Sequence, residues 1–203
     1  MTTSAVDTRL GPLPLRHEPE LADEFDTMVR TLGFVPNSVL TMQRKPKLVK
    51  AFAHLQRVIW DPESLVDRGL KRLVVHMASR VVGDAYSMAH TASGALHFGI
   101  SGEKLAAIVN FDTSPLYSPA ERAALDFAMA ASSQPNAVSD DTFVALRTYW
   151  SEEQIVEIVS VIAMAGFLSR WNQTFATPLE TECFEVGEKY LAPLGWNPGK
   201  HRR

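Results

Sequence analysis

Cysteine is nearly absent from this chain: Cys183 is the only one among 203 residues. A disulfide within the chain and a cysteine-rich metal site are therefore excluded. Such cysteine usage fits a reducing compartment, and we predict a cytoplasmic protein. No motif surrounds Cys183, so the sequence favours a plain buried or tail thiol without a catalytic role.

Basic blocks and long apolar runs are also scarce. The net charge is −3, and the one basic cluster lies at the end of the chain, from Lys200 to Arg203, so no nucleic-acid partner is expected. The most apolar run, Ile155 to Leu168, is shorter than the roughly 20 residues that cross a bilayer. Residues 1–7 lack the basic and apolar regions of a signal peptide. We therefore predict no membrane association.

The sequence contains no strong alternating pattern of a β-strand, whereas apolar residues recur at three- and four-residue spacing from residue 19 onward. The predicted class is all-α. We predict an extended arm over 1–18, a helical domain over 19–178 and an irregular tail over 179–203 that packs on the domain or on a neighbouring subunit. A break at Gly83 separates a long helix, beginning near Ser64, from a second helix that begins at Asp84.

The segment from Asp84 to His90 has the frame Cys-x-x-Cys-x-x-His, with Asp84 and Ser87 in place of the cysteines. Together with other segments, it resembles the carboxymuconolactone decarboxylase/AhpD-like family, in particular its peroxidase-related branch. The other matching segments are Gly33 to Asn37, Leu70 to Val75, Trp171-Asn172, Ala176 to Glu180 and Gly195 to His201. The resemblance implies an AhpD-like helical fold and assembly into trimers or hexamers.

In the resembling peroxidases, two thiols act with a histidine and an upstream glutamate. Asp84 and Ser87 stand at the thiol positions here, Arg72 stands at the glutamate position, and only His90 is retained. A carboxylate and a hydroxyl cannot form a disulfide, so thiol peroxidase turnover is not expected. We predict no cofactor and no metal, because His76, His90 and Asp84 lack a familiar ligand spacing.

Steps of three residues place Asp84, Ser87 and His90 along one side of a helix. They are the candidate catalytic residues: His90 as proton carrier, Ser87 as nucleophile paired with it, and Asp84 as acid or base. Their structural alternatives stay open, since Asp84 suits a helix cap, Ser87 a packing site and His90 a buried core position.

The candidate substrate-binding residues are Arg72, His76, Tyr86 and Trp171. Arg72 and His76 lie one helical turn apart, and Arg72 could hold a substrate carboxylate. The alternatives are a polar stripe for the first pair and an ordinary core position for Trp171.

Three functions remain open. The protein could bind a small organic molecule, such as a carboxylate, and use His90 as acid or base without thiol redox chemistry. It could instead be a peroxidase-related protein with residual or no activity, or a non-enzymatic oligomeric binding protein. We expect His90→Ala to abolish any turnover and Cys183→Ala to leave it unchanged, because we expect that thiol to be distant. The long apolar helix over 151–175 predicts self-association.

Overall fold

A computed structural model describes residues 9–202, and these residues form ten α-helices joined by short turns, with no strand among them. The prediction of an all-α protein is therefore confirmed. The first eight residues of the predicted arm, and Arg203, lie outside the described residues. The helices are α1 (Ala22–Leu32), α2 (Asn37–Met42), α3 (Pro46–Ile59), α4 (Arg68–Val81), α5 (Ala85–His97), α6 (Gly102–Ala106), α7 (Pro119–Ser132), α8 (Asp140–Arg147), α9 (Glu152–Phe175) and α10 (Thr181–Val186).

Four helices build the centre of the molecule, because α4 packs against α5, α7 and α9. Helix α4 is buried along most of its length, with Leu73 and Val74 wholly enclosed. Helix α5 has small residues along much of its length, including the buried Ala89 and Ala92, which lets α4 approach it closely. The α4–α5 pair therefore forms a rigid support for side chains that leave α5 on its other faces.

The break between α4 and α5 falls where the sequence predicts it. Gly83 has a φ of +66°, in the left-handed region that favours glycine. Asp84 then caps α5, because its carboxylate accepts the backbone N–H of Ser87 at 3.2 Å. The prediction that Asp84 begins this helix is confirmed.

The beginning of α4 differs from the prediction. The helix begins at Arg68 rather than near Ser64, with Asp67 as its cap. The carboxylate of Glu157 accepts the N–H groups of Leu65 and Val66 at 2.9 and 3.1 Å, which holds this segment in a non-helical turn. Long-range hydrogen bonds of this kind leave no trace in local periodicity.

Helix α9 has 24 residues and opens with the capping box predicted at Ser151. By length and composition alone it could cross a bilayer, although a core helix of a folded protein meets the same two criteria. Its buried side chains, Ile158 and Val161 among them, pack inside the described domain, where α9 contacts α4, α5 and α7. Its other side leaves Val156 and Phe167 exposed.

The chain after α9 folds back along the domain. Ala176 ends α9 in a left-handed conformation, with φ of +52°. The segment that follows is held by His201, whose backbone carbonyl accepts from Leu179 N–H at 2.9 Å and whose Nδ1 donates to the Thr177 carbonyl at 2.7 Å. Residues 176–180 thus form an ordered strip between α9 and α10.

Candidate functional site

The imidazole of His90 is paired with a carboxylate that lies 90 positions away in the sequence. Its Nε2 is 2.5 Å from Oε2 of Glu180, and the two side chains are 18% and 7% exposed. Glu180 directly precedes α10. Residues 176–180 bring the Glu180 carboxylate onto the face of α5 that carries His90. The carboxylate that pairs with His90 in this chain is therefore Glu180, while the upstream position expected from the family pattern holds Arg72.

The Glu180 carboxylate also accepts hydrogen bonds from α2 and α5. Its Oε1 accepts the hydroxyl of Tyr86 at 2.9 Å and the backbone N–H of Asn37 at 2.5 Å. Asn37 also donates from Nδ2 to the Pro178 carbonyl at 3.0 Å. Two segments that carried the family resemblance, the turn ending at Asn37 and the strip ending at Glu180, therefore meet to fix one carboxylate.

The rings around His90 fix the plane of its imidazole. Tyr86 stacks on it with ring centroids 4.3 Å apart, and Phe34 meets it edge-on at 5.7 Å. Because the ring is clamped and Nε2 bonds Glu180, Nδ1 is the nitrogen left for another partner. The Tyr86 hydroxyl stays protonated, since burial and the neighbouring Glu180 charge raise its pKa well above 10.0.

Cys183 lies in this same cluster, which corrects the expectation of a distant thiol. The donor atoms of His90, Glu180 and Cys183 all lie within 4.8 Å of one another, and Cys183 is buried on α10. The sequence could not show this proximity, because no pattern links residue 183 to residue 90. The one available signal was that Cys183 follows Glu180 by three positions, so that a short helix could carry both to one place.

Opposing effects set the protonation of the pair. Burial by itself lowers the pKa of His90, but the charges of Glu180 and Cys183 outweigh it and hold that pKa well above 6.5. For Glu180, burial raises the pKa, and His90 together with the N–H of Asn37 overcomes it, so the pKa lies below 4.5. The ground state at neutral pH is therefore an imidazolium beside a carboxylate.

Arg72 adds a second positive charge to this side of α5. Its guanidinium stacks on Trp60 at 3.8 Å and passes over Gly94, where a Cβ would meet Arg72 Cδ and Nε at 2.9 Å. Gly94 lies one turn beyond His90 on α5. Burial lowers the pKa of Arg72 to about 10, partly offset by the anionic form of Cys183, so Arg72 remains charged at neutral pH.

The other sequence-predicted residues have different surroundings. His76 is enclosed between α4 and α5, where Nδ1 lies 3.1 Å from the Met88 carbonyl and 3.0 Å from Thr91 Oγ1. Burial and the charge of Arg80 lower its pKa to about 3. His76 is therefore a neutral link between two helices, and it does not share a site with His90.

Ser87 and Trp171 also have partners other than His90. Ser87 Oγ lies 3.5 Å from Asn172 Nδ2, whereas His90 Nε2 bonds Glu180, so the proposed serine–histidine pair does not form. Trp171 packs its ring against Phe167 and Phe175 of α9. Asp84 is fully buried as the cap of α5, which fits its structural alternative.

A metal ion is one occupant that the cluster of His90, Glu180 and Cys183 could take, because it offers one nitrogen, one oxygen and one sulfur. The 2.5 Å separation of His90 Nε2 and Glu180 Oε2 is a hydrogen-bond distance. Two ligands of one zinc ion would lie about 3.3 Å apart, given bonds of about 2.0 Å in a tetrahedral arrangement. His90 and Glu180 are therefore arranged as a hydrogen-bonded ion pair rather than as two ligands of a preformed metal site.

Among the cavities lined by residues 9–202 are two that lie away from His90. The larger, about 660 Å³, lies between α4, α7 and α9 and is lined by Ser132, Ser169 and Arg170 among others. The smaller, about 320 Å³, lies beside the turn at Gly83 and is bordered by Trp196. Solvent reaches the His90 cluster along the part of the imidazole that stays exposed.

Comparison with known proteins shows which families and structures this chain is similar to. The carboxymuconolactone decarboxylase family model matches residues 46–130. The debrominase Bmp8, solved in complex with 2,3,4-tribromopyrrole, is 34% identical over 92% of this chain and 99% of its own, with a TM-score of 0.84. An uncharacterized peroxidase-related protein from Ralstonia eutropha JMP134 is 21% identical over 88% of this chain and 96% of its own, with a TM-score of 0.76, which shows the shared fold.

Among curated proteins, the uncharacterized YnjA of Escherichia coli (strain K12) is 31% identical over 83 residues. That match spans 41% of this chain and 46% of YnjA, so it covers less than half of the relative. Taken with the family model and the full-length similarity to Bmp8, these findings show that the chain belongs to the carboxymuconolactone decarboxylase/AhpD-like family.

Proposed function

We propose that this protein binds a small organic molecule beside His90 and moves a proton on it, with Glu180 setting the charge and the orientation of the imidazole. The observation that carries the proposal is the buried His90–Glu180 pair, with its 2.5 Å contact. Glu180 holds Nε2 and Tyr86 stacks on the ring, so one nitrogen is presented in a fixed direction. A general acid or base needs such fixed geometry before its pKa matters.

The charges around this pair favour an anionic ligand. Arg72 and protonated His90 contribute two positive charges, and Glu180 contributes one negative charge. A ligand carboxylate, or an enolate formed during the reaction, would balance the excess. Among small organic molecules, carboxylic acids with an acidic C–H bond are thus the preferred class.

The similarity to Bmp8 supports a small organic ligand. Bmp8 was solved with 2,3,4-tribromopyrrole and shares this architecture over nearly the whole chain. We extend to this chain the accommodation of a small ring, and we propose no dehalogenation. The peroxidase-related neighbour bears on the fold alone.

We further propose that the protein acts in the cytoplasm as a homo-oligomer. Helix α9 leaves Val156 and Phe167 exposed, and α3 leaves Leu55 and Val58 exposed. The two helices touch, because Phe52 of α3 stacks on Phe167 at 6.0 Å. A second copy could cover this apolar surface, as the trimers and hexamers of the resembling family suggest.

Proton transfer can be tested without knowing the product. Vinylacetate, levulinate and pyrrole carboxylate would be incubated with the protein in D2O, and loss of C–H signals followed by NMR. We expect exchange of at least one acid in the wild type, none with the corresponding amides, and a large loss in His90→Gln and Glu180→Gln. The matched control is His97→Gln, at an exposed position on the same helix.

Two outcomes would contradict the proposal. Exchange that persists at the wild-type rate in folded His90→Gln would place the chemistry elsewhere. Binding of these acids at His90 without any exchange, in the wild type and over a wide range of pH, would favour the non-enzymatic alternative.

A further inference from the structure

We infer that Cys183 is the nucleophile of the His90 site and that the site accepts small carbon electrophiles, forming a thioether. This inference rests on the proposed function, which it deepens by naming the class of substrate. It begins from position: Sγ of Cys183 lies within 4.8 Å of the donor atoms of both His90 and Glu180. A thiol, an imidazole and a carboxylate at such distances have the composition of a nucleophile, its base and the group that orients the base.

The orientation of the imidazole suits this arrangement. Glu180 binds Nε2, so Nδ1 is the ring nitrogen that Glu180 leaves without a bond. The stacking of Tyr86 keeps the ring from turning away. Because Glu180 is itself fixed by Asn37 and Tyr86, the orienting group does not need to reorganise during the reaction.

The charge balance points the same way. Arg72 and protonated His90 outnumber the carboxylate of Glu180 by one positive charge, in a region with little solvent. A thiolate on Cys183 would neutralise that excess when no ligand is bound. The same surroundings favour an attack by Sγ that develops negative charge on the ligand.

The chemistry is redox-neutral. In the reactive pair the proton of the thiol resides on the imidazolium, and Sγ attacks as the thiolate on the β-carbon of an alkene conjugated to a carbonyl, so that one S–C bond forms. The alkene electron pair moves to the carbonyl as an enolate beside Arg72, and the imidazolium then returns the proton to the α-carbon. No second thiol, oxidant or reductant is required, which suits a chain with one cysteine.

The single cysteine also makes the test unambiguous, because any thioether formed must be on Cys183. The folded protein would be treated with acrylamide, or separately with iodoacetamide, at pH values from 5 to 9, and the adduct measured by intact mass. With iodoacetamide the S–C bond forms as the C–I bond breaks and iodide leaves. We expect wild type to react at pH 6 at least about tenfold faster than N-acetylcysteine, since the adjacent His90 and Glu180 promote attack by Sγ.

Variants locate the cause of the reactivity. His90→Gln and Glu180→Gln are expected to lose the advantage at pH 6 and to regain rate only at alkaline pH. His97→Gln and Glu182→Gln, at exposed positions on α5 and α10, are the matched controls and should behave as wild type. In guanidinium chloride all five proteins should react at the rate of N-acetylcysteine, which shows that the fold creates the difference.

Several results would overturn the inference: no adduct in the folded protein, a rate at pH 6 no greater than that of N-acetylcysteine, or a rate unchanged in folded His90→Gln and Glu180→Gln. Stoichiometric zinc that blocks alkylation and is removed by chelator would also overturn it, in favour of a metal site. Cys183→Ser separates this inference from the proposed function. Deuterium exchange that survives in Cys183→Ser, together with an unreactive thiol in the wild type, would overturn this inference and keep the acid–base proposal. An activated thiol with no exchange in any variant would overturn the acid–base proposal.

Discussion

Replacing Glu180 with glutamine should destabilise the fold by an amount that can be worked from its contacts. The carboxylate accepts from Asn37, Tyr86 and His90. The amide oxygen of glutamine can still accept from Asn37 and Tyr86, so the change removes chiefly the charge-assisted bond to His90. Such bonds contribute about 1.5–3 kcal/mol, and we expect the free energy of unfolding to fall by about 2 kcal/mol at neutral pH.

The pH dependence of that difference is specific to the pair. His90 has a pKa raised well above 6.5, so its contribution is complete below 6.5 and is lost as the pH rises through the raised value. Glu180 has a pKa below 4.5, so its contribution is present above 4.5 and is lost as the pH falls through the lowered value. The difference in the free energy of unfolding between wild type and Glu180→Gln should therefore be largest between pH 4.5 and the raised pKa of His90, and it should shrink in acid.

Urea denaturation of wild type and Glu180→Gln between pH 3 and pH 9 measures this gap. Glu182→Gln is the matched control, because its side chain is exposed on α10 and it should unfold as wild type does. Equal stability of wild type and Glu180→Gln at pH 7, or a gap that grows steadily below pH 4, would refute the reasoning.

Three further predictions concern the rest of the fold. Gly187→Ala should lower the melting temperature by several degrees, because a Cβ there would meet Trp196 ring atoms at 2.5 to 2.8 Å, while Gly166→Ala, whose Cβ would meet only the tip of Arg170 at 3.4 Å, should not. The free energy of unfolding of the wild type should fall as the pH drops from 6.5 toward 3, because the unfolded chain protonates His76 whereas the folded chain, in which the pKa of His76 is about 3, does not. In urea titrations His76→Asn should lessen this dependence on pH, and an unchanged dependence would refute the prediction. Val156→Glu combined with Val58→Glu should convert the oligomer to monomers in light scattering, and a wild type that is already monomeric at micromolar concentration would contradict the proposed assembly.

The helices could be predicted because their signals are local. Gly83 and Asp84 mark a break and a cap by residue type alone, and Ser151 with Gln154 forms a capping box that the structure reproduces. The beginning of α4 could not be predicted, since it depends on Glu157, which reaches back from α9 to the backbone before the helix.

For the candidate site, the sequence pointed to His90, Tyr86 and Arg72, but it did not point to Glu180 or Cys183. His90 follows from its place in the motif frame, whereas Glu180 and Cys183 reach it only because residues 176–180 fold back over α5. Both segments that fix Glu180 were visible as pieces of the family resemblance, but nothing in a single sequence says that Asn37 and Glu180 touch. Interpreting Cys183 as a distant thiol was wrong for the same reason: sequence separation is a poor measure of distance in a folded chain.

The most direct test of the acid–base account is a crystal structure of the protein with the acid that shows the strongest deuterium exchange. The account predicts that the ligand lies within hydrogen-bond distance of His90, with its carboxylate toward Arg72 and its exchanging carbon toward Nδ1. A ligand seated instead in the cavity between α4, α7 and α9, with the His90–Glu180 pair untouched, would contradict it.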